Sequence, residues 1–210
     1  RAPPAAAQPV GLQLKLETQL NLVALAAAQP ERAQQAASAL PPWWDALLHA
    51  LQDDEQHHQS QSLLTLLDAH AQEIRARADA PLAARLGWAL YRAQHFEQAA
   101  QWFALARAKD DTAASAQQGE FYALQRAGQL EQAFAAGEGD AQLQSARADV
   151  AVQLALHARE HGDAAQAVRW LREAITLGKD DDALRALLAW SLLQSGEPAQ
   201  AADLFAQIYA

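Results

Sequence analysis

A glycine recurs at 34-residue intervals in this chain, at Gly128, Gly162 and Gly196. The 210 residues include only nine glycines, so three in phase indicate an internal repeat. A small residue keeps the same period five positions later: Ala99, Ala133, Ala167 and Ala201. A period of this length is typical of stacked helical pairs, each of which buries its apolar face only against its neighbours. The repeat therefore favours an extended binding surface over an enclosed catalytic pocket.

Composition points to the same class of structure. Hydrophobic residues make up 51% of the chain, and alanine, the strongest helix former, supplies much of that share. Glycine and proline number nine and eight, too few for a fold built from many turns. These proportions predict an all-α fold.

Charge and residue usage exclude several partners. The formal net charge is −9 without a basic run, which argues against nucleic-acid binding. Cysteine is absent, so thiolate metal sites and disulfides are excluded, and we predict no metal and no cofactor. No apolar run reaches the ~20 residues of a membrane span. Because the chain begins at Arg1 and contains no methionine, we expect a fragment or processed form, with any signal peptide outside it.

The phase of the repeat divides the chain. Residues 1–9 are rich in proline and alanine and are predicted to be a linker or disordered tail. Residues 10–78 are predicted to form irregular helical hairpins: a helix from Val10 to about Gln29, a shorter one to Leu40, and two more at about 43–54 and 60–78. Residues 80–210 keep the phase and are predicted to form four repeats, continuous with 10–78 as one solenoid: 80–113, 114–147, 148–181 and 182–210.

Each repeat is predicted to turn at a fixed position. Glycine suits a helix end because it adopts positive φ without a Cβ clash. The first repeat turns instead at Gln94-His95. In the second repeat the second helix runs into Gly137 and Gly139, which predicts a truncated helix, a loop and a bend in the stack.

Residues 80–210 resemble the tetratricopeptide repeat. The resemblance rests on the 34-residue period and on residues of the first repeat: Leu86, Gly87, Ala99, Phe103 and Ala106. It implies a right-handed superhelical solenoid of antiparallel helix pairs, in which small residues let helices approach and large ones fill the space between pairs. The chain departs from the family pattern in lacking the proline that closes each repeat. It also has Gly137 where the second repeat should have a large residue.

In that family the first helix of each pair lines a concave groove, and the resemblance places the position after Leu86-Gly87 in it. We call the residues at this position the ladder: Trp88, Tyr122, Leu156 and Trp190. Four residues later stand Arg92, Arg126, Glu160 and Gln194. Residues at i and i+4 share a helix face, which predicts aromatic–arginine pairs of Trp88 with Arg92 and Tyr122 with Arg126. The predicted groove residues are Trp88, Tyr91, Arg92, Tyr122, Arg126, Arg159 and Trp190. Alternatively, the aromatic rings pack between helices and the arginines are solvated.

One motif suggests catalysis. His157, Glu160 and His161 match the H-x-x-E-H order of a zinc peptidase class, in which two histidines hold zinc and the glutamate acts as base. Gly162 ends the helix immediately afterwards, and no third ligand is apparent. We therefore predict no catalytic residues and no enzyme.

Two functions stay open. The first is a non-enzymatic scaffold that binds a protein or peptide segment in its concave groove, as part of a larger assembly. The alternative is a carbohydrate-handling scaffold, because alanine- and tryptophan-rich repeats are similar to the periplasmic repeat regions of bacterial exopolysaccharide secretion proteins. Its partner would be a polysaccharide. Only this second resemblance favours the periplasm, and nothing else in the sequence indicates a compartment.

Overall fold

The computed structural model describes residues 40–110 and 114–209, and every regular element within them is helical. Ten α-helices and one short 3₁₀ helix lie in these ranges, which confirms the all-α prediction for this part of the chain. The predicted tail at 1–9 and the predicted helices between Val10 and Leu40 lie outside the described residues. The chain divides into two compact units at Ala78 and Asp79.

The first unit contains the helices α1 (Trp44–His57) and α2 (Gln61–Arg77). Trp44 is buried while Trp43 is half-buried and stacks on His70 with ring centroids 4.2 Å apart. The hairpin core consists of aliphatic side chains at helical spacing: Leu47, Leu51, Leu63, Leu67 and Ile74. Because these residues recur every three to four positions, each helix presents one apolar face to the other.

The second unit is a succession of four helical pairs. Each helix packs mainly on the helices before and after it in the chain, as expected of a stacked repeat. The helices are α3 (Ala80–Arg92), α4 (Phe96–Lys109), α5 (Ala114–Arg126), α6 (Leu130–Ala136), α7 (Gln144–Glu160), α8 (Ala164–Thr176), α9 (Asp182–Ser195) and α10 (Pro198–Tyr209). We call α3, α5, α7 and α9 the first helices, and α4, α6, α8 and α10 the second helices.

All four turns within the pairs share one backbone conformation. Gly128, Gly162 and Gly196 have φ of 76°, 77° and 88°, and Gln94, one period earlier, has φ of 64°. The next residue in each turn donates its backbone N–H to the carbonyl five residues back, at 2.9, 2.9, 2.9 and 2.8 Å: His95 to Leu90, Gln129 to Leu124, Asp163 to Ala158 and Glu197 to Leu192. This bond satisfies a carbonyl at the helix end. The predicted turn positions are confirmed, and the series includes Gln94.

The Gln94→Gly substitution should stabilise the second unit. A side chain at positive φ costs roughly 1–2 kcal/mol in steric strain, of which the greater unfolded-state entropy of glycine cancels a part. We expect a net gain of about 0.5–1 kcal/mol in the free energy of unfolding. Urea denaturation followed by circular dichroism measures it. The matched control, Gln125→Gly at the last turn of α5, should lower stability, and a stability loss in Gln94→Gly would contradict the strain argument.

The recurring alanine is buried in every pair. Ala99, Ala133, Ala167 and Ala201 have no exposed surface, so each second helix approaches its first helix closely. This confirms the predicted small position. In the first pair the two helices also approach closely at Gly87. A Cβ at this position would lie 2.8 Å from the ring of the buried Phe103 on the second helix.

In the second pair the phenylalanine of this contact stands on the first helix and the glycine follows the second helix, the reverse of the first pair. Phe121 stands one period after Gly87, and Gly137 stands one period after Phe103. Phe121 is fully buried, and a Cβ at Gly137 would lie 2.8 Å from its ring. Gly137 therefore does not leave the second pair underpacked, because Phe121 on the first helix occupies the space.

The short α6 confirms the predicted truncation, and side chains hold the loop that follows. The amide of Gln117 donates to the carbonyls of Ala136 and Glu138 at 2.9 and 2.8 Å. Arg147 Nε donates to the Phe134 carbonyl at 3.1 Å. These bonds satisfy carbonyls that the missing helical turns would have paired.

Aspartates begin the last pair. Asp181 caps α9 by accepting from the Leu184 N–H at 2.8 Å. Asp180 receives two hydrogen bonds of 2.7 Å from the guanidinium of Arg185, which lower the pKa of Asp180 and raise that of Arg185. The stabilisation from a carboxylate with a lowered pKa is present at neutral pH and is lost as the pH falls through that value.

Candidate functional site

The ladder lies on the first helices of the four pairs, and three of its members are exposed. The exposed fractions of Tyr122, Leu156 and Trp190 are 37%, 42% and 55%. Trp88 is half-buried. Large apolar side chains at a repeated exposed position form a stripe that the fold itself does not cover.

Ring contacts fix the orientation of the aromatic ladder residues. Trp88 meets Phe103 edge to face at 4.9 Å, and Trp190 meets Phe205 in the same way at 5.5 Å. Both pairs are separated by 15 residues and join a first helix to its second helix. The equivalent partner of Tyr122 would be Gly137, so Tyr122 packs at 5.2 Å on Phe121 instead. Each of the three rings is thus held by an aromatic neighbour and remains at least partly exposed.

Tyr91 completes an aromatic cluster at the end of α3. Its ring lies 5.7 Å from Trp88 and 5.3 Å from Phe96, in both cases edge to face. The cluster occupies the end of the ladder nearest the start of the second unit. Trp88 and Tyr91 therefore pack against neighbouring rings as well as being partly exposed. Packing of these rings between helices is what the alternative to the groove interpretation predicts.

The predicted pairing of Tyr122 with Arg126 is corrected by the structure. The guanidinium carbon of Arg126 lies 4.9 Å from the ring centroid of Phe96, in the preceding helical pair. A cation at this distance is attracted by the face of the ring. The ring of Tyr122 packs on Phe121, and the Arg126 side chain extends to the ring of Phe96. Arg92, the other predicted arginine of a pair, is exposed at the end of α3.

Arg159 is half-buried near the end of α7, three residues after Leu156. Its Nε is buried, and among the residues that the structure describes no hydrogen-bond acceptor pairs with it. It is the only buried side-chain nitrogen or oxygen in the described ranges in this condition. A buried N–H without a partner costs roughly 1–3 kcal/mol.

We define the first-helix face as the ladder residues together with the residues three and four positions after each. It consists of Trp88, Tyr91, Arg92, Tyr122, Gln125, Arg126, Leu156, Arg159, Glu160, Trp190, Leu193 and Gln194. Six large hydrophobic residues are exposed in the described ranges, and four of them belong to this face: Tyr122, Leu156, Trp190 and Leu193. A concentration of exposed large apolar side chains on one face is a feature of interaction sites.

The histidine motif is placed at the end of α7. His157 and His161 contact each other with ring centroids 4.5 Å apart, and His161 lies beyond the last helical residue. Nδ1 of His161 is 2.8 Å from the His157 carbonyl. In the described part of the chain, histidine and acidic side chains nowhere gather in threes to hold a metal ion.

A second surface, between second helices, was not anticipated from the sequence. Phe134 and Trp170 meet edge to face at 5.1 Å, and the guanidinium of Arg147 lies 4.3 Å from the Phe134 ring centroid. These side chains and Arg169 line a groove of about 450 Å³. The groove is lined in part by α6, the shortest of the ten described α-helices.

Comparison with known proteins supports the repeat assignment. A family model described as "Tetratricopeptide repeat" matches residues 158–209, which spans α8, α9 and α10. No curated protein matches the chain significantly. None of the described helices is long and apolar enough to cross a membrane.

Solved structures of MamA proteins resemble the fold. MamA 41-end from Desulfovibrio magneticus RS-1 is 16% identical, with 81% of this chain and 96% of that chain covered and a TM-score of 0.41. MamA AMB-1 is 14% identical, with 77% and 86% covered and a TM-score of 0.46. The helix pairs and the family match together show that the described chain is an all-α protein of consecutive, tetratricopeptide-like helix pairs, with a tetratricopeptide repeat match at residues 158–209.

Proposed function

We propose that this protein is a non-enzymatic scaffold that binds a segment of a partner protein along its first-helix face. Tetratricopeptide repeats are generally protein-interaction scaffolds, and residues 158–209 match that family. The observation that carries the proposal is the exposure of Tyr122, Leu156 and Trp190 at one repeated position. Burying large apolar side chains against a partner releases about 25 cal/mol per Å² of covered apolar surface.

The form of the surface favours a segment over a small molecule. The ladder residues come from four successive helical pairs, so a ligand that touches all of them must extend along the stack. A peptide can do so by presenting apolar side chains at intervals, as peptides do in other helical grooves. Tyr and Trp also carry a polar edge, which suits a surface that is solvated when free.

Selection of random peptides displayed on phage against the 210-residue chain tests this proposal. Selected peptides are then titrated by fluorescence anisotropy against the wild type and the triple variant Tyr122→Gln, Leu156→Gln and Trp190→Gln. Because a few central side chains dominate binding energy at most interfaces, we expect the triple variant to bind about a hundredfold more weakly. Glutamine keeps good helix propensity, so circular dichroism should be unchanged.

Tyr209→Gln is the matched control, because Tyr209 is 82% exposed but lies outside the first-helix face. It should leave the affinity unchanged. A selection that yields no peptide sensitive to the triple variant would overturn the proposal.

The exopolysaccharide alternative has no support from the family match or from the solved structures. The same variants test it when the chain is passed over immobilised polysaccharides. Retention that the triple variant abolishes, together with no ladder-dependent peptide, would favour a glycan over a protein segment.

A further inference from the structure

The groove that Phe134 and Trp170 line is formed mainly by the second helices α6 and α8, and none of its lining residues belongs to the first-helix face. We call it the second-helix groove. Both rings are half-buried and meet edge to face at 5.1 Å, and the Arg147 guanidinium lies 4.3 Å from the Phe134 centroid. Its volume of about 450 Å³ is within the range of ligand sites in proteins.

The second-helix groove contains hydrogen-bond donors that the fold leaves open. The indole N–H of Trp170 is accessible to solvent and has no acceptor among the residues that the structure describes. Within those residues Arg147 donates only from Nε, to the Phe134 carbonyl at 3.1 Å, so its terminal nitrogens are available. A ligand that presents acceptors along an apolar surface would pair with these donors.

Formal charges in the lining of this groove cancel. Arg147 and Arg169 are balanced by Glu138 and Glu173, although the whole chain has a formal charge of −9. Charge complementarity governs which segments a surface attracts and which it rejects. A lining without net charge therefore favours a ligand that is largely uncharged where it fills the groove.

A second depression adjoins the groove on the other side of α6. It has a volume of about 560 Å³, and Ala135 lines both. Its described lining carries acidic side chains and no cation: Glu120 is paired with Arg107 at 2.7 Å, and Glu97 is exposed. A ligand that occupies both must be an extended segment, and a basic residue at this end would lie near Glu97.

A proline-rich segment has the rings and acceptors that such a groove can bind. In the polyproline II conformation the backbone carbonyls stay free, and proline has no N–H, so the segment presents acceptors without donors. Its rings pack on aromatic side chains, and its conformation is largely preformed, which lowers the entropic cost of binding. A helical ligand, in contrast, satisfies its carbonyls internally and offers Trp170 only side chains.

We propose that the second-helix groove binds a proline-rich segment of a partner protein in the polyproline II conformation. Proline rings pack against Trp170 and Phe134, and the Trp170 N–H donates to a backbone carbonyl of the segment. A basic residue beyond the prolines lies near Glu97 in the adjoining depression. This site is separate from the first-helix face, so the inference goes beyond the proposed function and does not depend on it.

The test titrates fluorescein-labelled peptides against the 210-residue chain by fluorescence anisotropy: decaproline, decaproline with arginine at each end, and a ten-residue Gly-Ser peptide. We expect decaproline to bind at least about tenfold more tightly than the Gly-Ser peptide, which is flexible and lacks rings. The arginines should strengthen binding about twofold, and Glu97→Gln should remove that gain, as is usual for an exposed ion pair.

Trp170→Phe keeps an aromatic ring and removes the N–H. It should weaken decaproline binding about fivefold, as the loss of one hydrogen bond does. Trp190→Phe is the matched control, because Trp190 also meets a phenylalanine edge to face but lies on the first-helix face. It should leave the affinity unchanged. Circular dichroism verifies that both variants are folded.

The indole N–H signals distinguish a hydrogen bond from a general loss of packing. In two-dimensional NMR spectra of the isotope-labelled chain, the Trp170 and Trp190 signals are those missing from Trp170→Phe and Trp190→Phe. Decaproline should shift the Trp170 signal and leave the Trp190 signal in place, because only the Trp170 N–H gains an acceptor.

Decaproline that binds no more tightly than the Gly-Ser peptide would overturn the inference. So would decaproline binding that Trp170→Phe leaves intact, or that the triple variant of the ladder abolishes, since the prolines would then lie on the first-helix face. An arginine effect that survives Glu97→Gln would contradict the placement of the basic residue. The absence of any ladder-dependent peptide from the phage selection would instead overturn the proposed function alone.

Discussion

Gly137→Leu should destabilise the protein by about 3 kcal/mol, because it adds a side chain to a space that is already full. Even a Cβ at this position would lie 2.8 Å from Phe121 and 3.0 Å from the Arg147 side chain. The backbone is not the obstacle, since Gly137 has φ of −81° and ψ of 1°, which any residue adopts. Urea denaturation followed by circular dichroism measures the loss.

A second substitution in the same site should restore stability. Phe121→Ala alone leaves a cavity and should cost about 4 kcal/mol. The double variant Phe121→Ala, Gly137→Leu recreates the third pair, where Ala155 and Leu171 stand at the equivalent positions and are fully buried. We expect the double variant to be more stable than either single variant. Additive losses would show that the two positions do not share one space.

Gly119→Ala should also destabilise the protein, with a net loss of about 2 kcal/mol in the free energy of unfolding. Alanine raises helix propensity by roughly 1 kcal/mol, but overpacking costs 1–3 kcal/mol or more. The new Cβ would lie 2.4 Å from Cε1 and 2.5 Å from Cζ of Phe103. The ring cannot withdraw, because Gly87 contacts it from the neighbouring helix.

Leucine at position 103 tests this explanation, because it lacks the ring atoms that meet the new methyl group. Gly119→Ala should therefore cost much less in a Phe103→Leu background than in the wild type. Ser115→Ala, at an exposed position of the same helix, is the control and should change stability by less than about 0.5 kcal/mol. An equal cost of Gly119→Ala in both backgrounds would exclude the ring clash as the cause.

These contacts show how far the repeat pattern predicts structure. The 34-residue period predicts the turns at Gly128, Gly162 and Gly196 and the buried alanine series, because each depends on one residue in a local backbone or packing slot. It does not predict the exchange of Phe121 and Gly137, which requires knowing that residues 16 positions apart share one volume. When the repeats are compared one position at a time, Gly137 therefore looks like the loss of a large packing residue.

The candidate site likewise has features that the repeat pattern predicts and features that it does not. Periodicity alone brings Trp88, Tyr122, Leu156 and Trp190 to one position of successive helices. It does not predict that Arg126 lies over Phe96, or that the buried Nε of Arg159 has no acceptor within 40–110 and 114–209, because such contacts depend on how the helices pack. Whether the ladder binds a partner stays a prediction.

The residue pattern is enough to predict the helical class of the described chain, the period of its pairs and the side chains that share a helix position. It does so because helix propensity, turn geometry and small-residue packing are local properties that repeat with the residues. Helix packing determines which ladder side chains stay exposed, how Phe121 takes the place of Phe103 in the second pair, and which arginine has no acceptor among the described residues. Those outcomes depend on the volumes and polar groups that adjacent helices bring together, and no single residue pattern contains them.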